Sequence, residues 1–243
     1  MASASQEPCV LVTGASQGIG SAVLYGLARA GHAVLGVSRT KPEQLPKGAT
    51  WRSLDLSNAA GVEEFVSTLE SSALRALVLC AVDYGEGGRH PAAGMSAKEW
   101  QRVVATNCIG HCVLVSRLLP RLLANALAIV VNISSDVAVL PSAGRAAYAA
   151  SKAGLHAMLR TVAAEHASDC LRVYQLIPTF QLATHGLRRR RPASFDFSSY
   201  ADPAVMAEVV GQVLSTTGDA IAAGTYLVQR DGSLNPFAEA TQL

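Results

Sequence analysis

The sequence predicts an α/β fold in which a doubly wound, parallel sheet of about seven strands carries helices on both faces. Two observations predict it. Short, near-continuous apolar runs, clearest at residues 76–81 and 128–133, alternate with segments of helical period, the pattern of parallel strands covered on both sides. The first such run leads straight into a turn with three glycines, Thr13-Gly14-Ala15-Ser16-Gln17-Gly18-Ile19-Gly20, and a helix follows it. That strand, turn and helix order lets a backbone approach a diphosphate, whose charge then meets the amide groups and positive dipole end of the helix. It is a dinucleotide site of the Rossmann type in outline.

With 243 residues, 50% of them apolar, the chain can bury the core of one such domain and calls for no second. A formal charge of +2 gives no general attraction to a polyanion, so nucleic acid is not an expected partner. Residues 1–8 are small and polar and are expected to form a disordered tail. The first apolar run is far shorter than the ~20 residues of a membrane span, so no membrane partner and a cytoplasmic location are expected. Five scattered cysteines are an odd number and fit reduced thiols better than a disulfide framework. Cys108, His111 and Cys112 lie close together, but a structural zinc site needs a fourth ligand and no second cluster supplies one, so no metal is expected.

In chain order, residues 9–12 read as a first strand, and Ile19, Val23, Leu24, Leu27 and Ala28 recur at helical spacing up to Gly31. A second strand, 32–37, ends in Ser38-Arg39-Thr40. An acidic residue there would accept from a free ribose 2′-hydroxyl; a serine and an arginine suit a 2′-phosphate, which points to NADP(H). A third strand, 51–56, closes on Asp55, placing Asp55 and Leu56 near the adenine, and a short helix spans 61–69. After the strand at 76–81, a long helical pattern covers 98–123; it carries Asn107 in apolar surroundings, and Pro120 is expected to bend or end it.

The strand at 128–133 leads to Ser134 and Ser135 at its carboxyl end, where open α/β sheets bind ligands. The next helix holds Tyr148-Ala149-Ala150-Ser151-Lys152, and residues four apart on a helix share a face. A cation beside a phenol favours the phenolate, so Lys152 can tune Tyr148 as an acid or base. A Y-x-x-x-K alone is more often an ordinary helix pair; context decides. A strand at 171–177 stops at Pro178, a helix covers 203–214, and 226–228 reads as a seventh strand. Residues 179–202 are polar and poorly patterned, a length that suits a substrate lid. Their run Arg188-Arg189-Arg190-Arg191 reads first as solvated surface and second as a contact for an anionic substrate.

With these residues in place, nearly the whole chain resembles the one-domain, NADP(H)-dependent branch of the short-chain dehydrogenase/reductase family. Thr13 to Gly20 is similar to that family's T-G-x-x-x-G-x-G turn, Tyr148 to Lys152 to its Y-x-x-x-K, and Ser135 stands at the family's distance before the tyrosine. Asn107 matches its helix asparagine, and Asp231-Gly232 its C-terminal signature. The resemblance implies catalytic residues Asn107, Ser135, Tyr148 and Lys152. It places the cofactor against Gly14, Ser16, Gln17, Gly18, Ile19, Gly20, Ser38, Arg39, Asp55, Leu56, Tyr148, Lys152, Pro178 and Thr179. Ser135 would then hold a substrate carbonyl, Tyr148 would protonate it as the nicotinamide delivers hydride, Lys152 would bind the ribose, and Asn107 would hold a relay water.

Three departures stand out. Leu79-Cys80-Ala81-Val82 replaces N-N-A-G, so hydrogen bonds that brace the sheet near the cofactor must come from elsewhere. Pro178-Thr179 replaces P-G, with Tyr174 where an asparagine is usual, and Thr184 falls one position from the family's threonine. The implied function is NADPH-dependent reduction of a ketone of a small or medium metabolite, of polyketide, acyl-thioester or sugar type. The same residues would serve an alcohol dehydrogenase running oxidatively, and a catalytically silent NADP sensor on the same fold is a third reading. A homodimer or homotetramer is expected from the family and from apolar helix faces at Val113, Leu114, Leu118, Leu155, Met158 and Leu159.

Overall fold

The structure, a computed structural model, describes residues 10–69, 74–86, 89–167, 170–189, 191–215 and 221–238. The expected tail at 1–8, the start of the first strand at Cys9, and Arg190 lie outside the described residues.

Eight strands form one sheet in the order β3-β2-β1-β4-β5-β6-β7-β8. They are β1 (Val10–Thr13), β2 (Val34–Ser38), β3 (Ala49–Ser53), β4 (Ala76–Leu79), β5 (Ala128–Ile133), β6 (Leu171–Pro178), β7 (Gly224–Val228) and β8 (Leu234–Pro236). All pairings are parallel except β7 with β8, where Val228 faces Leu234. The eighth strand corrects the expected seven. It went unread because three residues ending in Asn235-Pro236 carry no apolar alternation and poor strand propensity; an edge is where proline is tolerated. The third strand also ends earlier than expected, at Ser53, so Leu54, Asp55 and Leu56 leave the sheet as a loop.

Alternate side chains of the central strands feed two cores. Val10, Val12, Val78 and Val131 point to one face and pack under α1 (Gly18–Arg29) and a C-terminal helix at Ala204–Ser215. Leu11, Leu77, Leu79 and Val130 point to the other, under α2 (Ala59–Ser67), α4 (Gly110–Leu123) and α5 (Ala146–Glu165). Leu114, Leu118, Leu155 and Leu159 are completely buried in this second core. They therefore belong to the fold and not to an exposed apolar face, which corrects the expected self-association surface; only Val113 and Met158 of that set lie at its partly covered margin.

The expected helix at 98–123 is three joined pieces: α3 (Ala97–Val104), one wider π turn at Ala105–Ile109, and α4. Pro120 does not end it, since α4 continues to Leu123. The last turn survives because Leu118 and Leu122 are buried, while Asn125 Nδ2 donates to the Arg121 and Leu122 carbonyls. The whole run, Ala97–Leu123, is long and apolar enough to cross a membrane by length and composition, but its leucines are spent on the protein core. Just after the π turn, a Cβ on Gly110 would sit 2.0 Å from the Leu56 carbonyl oxygen, so only glycine lets the helix press on the loop after β3 there.

Residues 179–202 are more structured than their composition suggested. Thr184 caps a four-residue helix α6 (His185–Arg188) by accepting from the Leu187 amide, and Leu182 bridges to Ala201. The helix at Ala204–Ser215 is accordingly α7.

Candidate active site

The strand order reverses between β1 and β4, and there a cleft of about 730 Å³ opens at the carboxyl ends of the strands. Gly14, Ser16, Gln17, Gly18, Ile19, Ser38, Arg39, Asp55 and Leu56 all line it. Gly14 (φ 69°) and Gly18 (φ 63°) are left-handed, which favours glycine over any residue with a Cβ. Gly20 does not face the cleft; a Cβ there would lie 2.3 Å from the Gly14 carbonyl oxygen, so its role is to let the helix start against the turn.

The loop after β2 divides its labour. Ser38 is buried, donates to the Thr40 carbonyl (2.8 Å) and accepts from Trp51 Nε1 (2.9 Å), so its proton is committed within the protein. Arg39 is exposed on the cleft and makes no hydrogen bond or ion pair among the described residues. Asp55 folds back on its own loop, accepting from the Ser57 amide and hydroxyl. Left-handed glycines, a helix N-terminus and an exposed guanidinium in one cleft together fit a dinucleotide.

A second cavity of about 640 Å³ shares Ile19, Tyr84 and Thr184 with the first and holds Ser134, Ser135, Tyr148 and Pro178 in its wall. Tyr148 stands in the first turns of α5, buried, with the Tyr84 ring tilted against it at 5.1 Å. Burial pushes its hydroxyl pKa well above the usual phenol range, Tyr84 adds to this, and Ser135 and Arg145 pull it back in part. Ser135 Oγ donates to Asp136 Oδ1 at 2.8 Å. Lys152 is buried one turn along and donates to the Ile133 carbonyl at 2.9 Å; desolvation lowers its pKa to about 8, against a smaller pull from Cys80. Its ammonium is thus aimed at the end of β5, and the groups that lower the Tyr148 pKa in this structure are Ser135 and Arg145. Thr179, expected at the cofactor, faces away: its hydroxyl donates to the Val228 carbonyl at 3.0 Å, because β6 continues through Pro178 and keeps Thr179 paired to β7.

Asn107 acts as a clamp. In the π turn, its Oδ1 accepts from the Asp83 amide (2.6 Å), and its Nδ2 donates to the Asp83 carbonyl (2.7 Å) and Ser151 Oγ (3.1 Å). It ties the loop after β4 to the helix of Tyr148 and Lys152, and its side-chain amide is fully engaged in doing so.

The brace missing at Leu79-Cys80-Ala81-Val82 is supplied by Thr13. Its Oγ1 accepts from the Cys80 and Ala81 amides (2.9 and 3.1 Å) and contacts His111 Nε2 at 3.0 Å, while His111 Nδ1 meets the Asn107 carbonyl at 3.1 Å. A carbonyl only accepts, so Nδ1 carries the proton, Nε2 accepts, and the Thr13 hydroxyl donates to it. Desolvation holds the His111 pKa down at about 4, which suits this neutral tautomer. The imidazole is thereby committed to hydrogen bonds, and no group of three metal-ligating side chains occurs among the described residues. Cys108 and Cys112 lie 3.9 Å apart, sulfur to sulfur.

Tyr84, Arg145, Asp136 and the pair Thr13–His111 are the site residues that sequence reasoning missed. The signals were there in part: Arg145 stands three before Tyr148, and His111 four after Asn107 on the same helix face.

The family profile described as short chain dehydrogenase matches residues 8–193. A 3-oxoacyl-[acyl-carrier-protein] reductase, FabG, of Staphylococcus aureus is 28% identical over 179 residues, covering 70% of this chain and 73% of that protein. An uncharacterised oxidoreductase of Myxococcus xanthus is 30% identical over 179 residues, covering 70% of each. A metagenomic short-chain oxidoreductase solved in complex with NADP superposes with a TM-score of 0.74 at 26% identity, covering 93% of this chain and 99% of that one. Together with the glycine turn and the serine, tyrosine and lysine gathered at the sheet's carboxyl edge, the matched profile makes this chain a member of the short chain dehydrogenase family.

Proposed function

We propose that this oxidoreductase is an NADPH-dependent ketone reductase, with the dinucleotide in the first cleft and the ketone in the second. The observation that carries the proposal is the shared wall. Ile19, Tyr84 and Thr184 border both spaces, so a ring entering from the glycine turn arrives beside Ser135 and Tyr148. FabG and the NADP-bound relative support the reaction class and the cofactor.

Bound NADPH supplies the hydride for the carbonyl carbon; the protein supplies everything else. Tyr148 delivers its proton to the developing alkoxide, and burial keeps that proton in place at neutral pH, the state an acid catalyst needs. Ser135 exchanges its hydrogen bond to Asp136 for one to the substrate oxygen. Lys152, protonated below about pH 8, supplies the buried positive charge next to β5 and the ribose hydroxyl contacts. Asn107 holds the loop and helix in register, and a relay water falls to its main-chain carbonyl, which has a lone pair beyond the one His111 uses. Residues 179–202 form the lid, with Arg189 Nη2 latched onto Gln17 Oε1 of the glycine turn at 2.6 Å.

The test is a panel of ketones assayed for NADPH oxidation. Turnover with NADPH and weaker turnover with NADH is the expected result. Tight NADPH binding with no turnover on any ketone, in either direction, would instead favour the silent sensor.

A further inference from the structure

We infer, building on the reductase reading, that the substrate is an anionic ketone: its second cavity is built to hold a carboxylate or phosphate a short distance from the reacting carbonyl. The cavity that holds Ser135 and Tyr148 is lined by three guanidinium groups, Arg89, Arg145 and Arg191, against one carboxylate, Asp136. They come from three separate segments, the loop after β4, the turn before α5 and the lid, so their meeting is a property of the fold and not of a local charge run.

None of the three is neutralised. No ion pair among the described residues involves them, and the Asp136 carboxylate instead accepts from Ser135 Oγ and the Val137 amide through Oδ1. Arg89 is anchored by one bond to the Ala143 carbonyl, and Arg191 lies over the Phe195 ring at 5.0 Å; each contact orients a guanidinium without cancelling its charge.

Arg145 is the least satisfied of the three. It is the N-cap residue of the 20-residue helix α5, with no acidic side chain in the first turn. A cation at the positive end of a helix dipole is unfavourably placed unless an anion joins it. Its Nε is buried with no hydrogen-bond partner among the described residues, and its guanidinium carbon lies 6.0 Å from the Tyr148 ring centre. Planar guanidinium forks match carboxylate and phosphate oxygens in pairs, and a concavity in which positive side chains outnumber negative ones concentrates such ligands. The ketone oxygen must reach Tyr148, so the anionic group sits only a few bonds away from it.

Matched pairs of substrates test this. Levulinate is compared with methyl levulinate, and dihydroxyacetone phosphate with dihydroxyacetone, by kcat/KM at low and high salt. The anion is expected to be preferred by ~10-fold or more at low salt, less at high salt, and the pair with the larger ratio identifies carboxylate or phosphate. Arg145→Gln should cut that ratio about tenfold, and Arg191→Gln should cut it less. If methyl levulinate turns over as well as levulinate and dihydroxyacetone as well as its phosphate, the inference is wrong while the reductase reading stands. If no ketone turns over, calorimetry of the NADPH-loaded protein with the same pairs decides: tighter binding of the anions, lost in Arg145→Gln, upholds the anion site, and equal binding overturns it.

Discussion

Replacing Thr13 with valine tests how the cleft survives without the family's usual brace. Thr13 is completely buried, and valine keeps its shape while removing one hydroxyl. That hydroxyl satisfies three groups at once: the Cys80 amide, the Ala81 amide and His111 Nε2. An unsatisfied buried donor or acceptor costs roughly 1–3 kcal/mol, and relaxation keeps three neighbours from adding in full, so the loss should be about 3 kcal/mol or more. Out of the roughly 5–15 kcal/mol that stabilises an ordinary domain, this is a large fraction. Thr13→Ser keeps the hydroxyl and loses one methyl, for about 1 kcal/mol. Urea unfolding followed by fluorescence of Trp51 and Trp100 gives both values. If the valine variant is as stable as the serine variant, the Thr13 brace does not exist as described.

Two further outcomes follow from the same geometry. Arg39→Ala should weaken NADPH binding about tenfold and leave NADH unchanged, the low end of a charge-assisted contact because Arg39 is exposed; titrating both dinucleotides at fixed salt checks it, and equal affinities in the wild type would remove Arg39 from the site. His111 has its pKa held at about 4 in the fold against 6.5 outside it, so the unfolded chain binds the extra proton between those values. Its contribution is therefore intact above pH about 6.5 and is lost as pH falls towards 4, on the order of 3 kcal/mol. A His111→Gln variant should show a flatter stability profile across that window in denaturation at stepped pH; an identical slope would mean His111 is not the group that titrates.

The parts of the fold and site legible in the sequence were those encoded by neighbours in the chain. The glycine turn, the Tyr148 and Lys152 spacing and Ser135 at a strand end each read locally, and the structure brings Ser135, Tyr148 and the turn to one edge. The rest depends on segments far apart. Tyr84 meets Tyr148 across 64 positions (148 − 84), and Thr13 meets His111 across 98, separations that no period or motif reveals. Thr179 is placed at the cofactor by the resemblance alone, whereas β6 runs through Pro178 and the pairing to β7 ties the exposed threonine's amide and hydroxyl to the Val228 carbonyl. Ser38 looked like a phosphate ligand until Trp51, 13 residues on, supplied it with a partner. The arginine run was ambiguous because its members separate: Arg188 lies over Phe197 at 4.6 Å, Arg189 reaches Gln17, and Arg191 lines the second cavity.

If Tyr148 is the proton donor for ketone reduction, Tyr148→Phe exposes it, measured as kcat with a turned-over ketone alongside NADPH affinity from its fluorescence. Only the hydroxyl is removed, so the account predicts a fall of ~10²- to 10⁴-fold in kcat with cofactor affinity nearly intact. Turnover within tenfold of the wild type would contradict it.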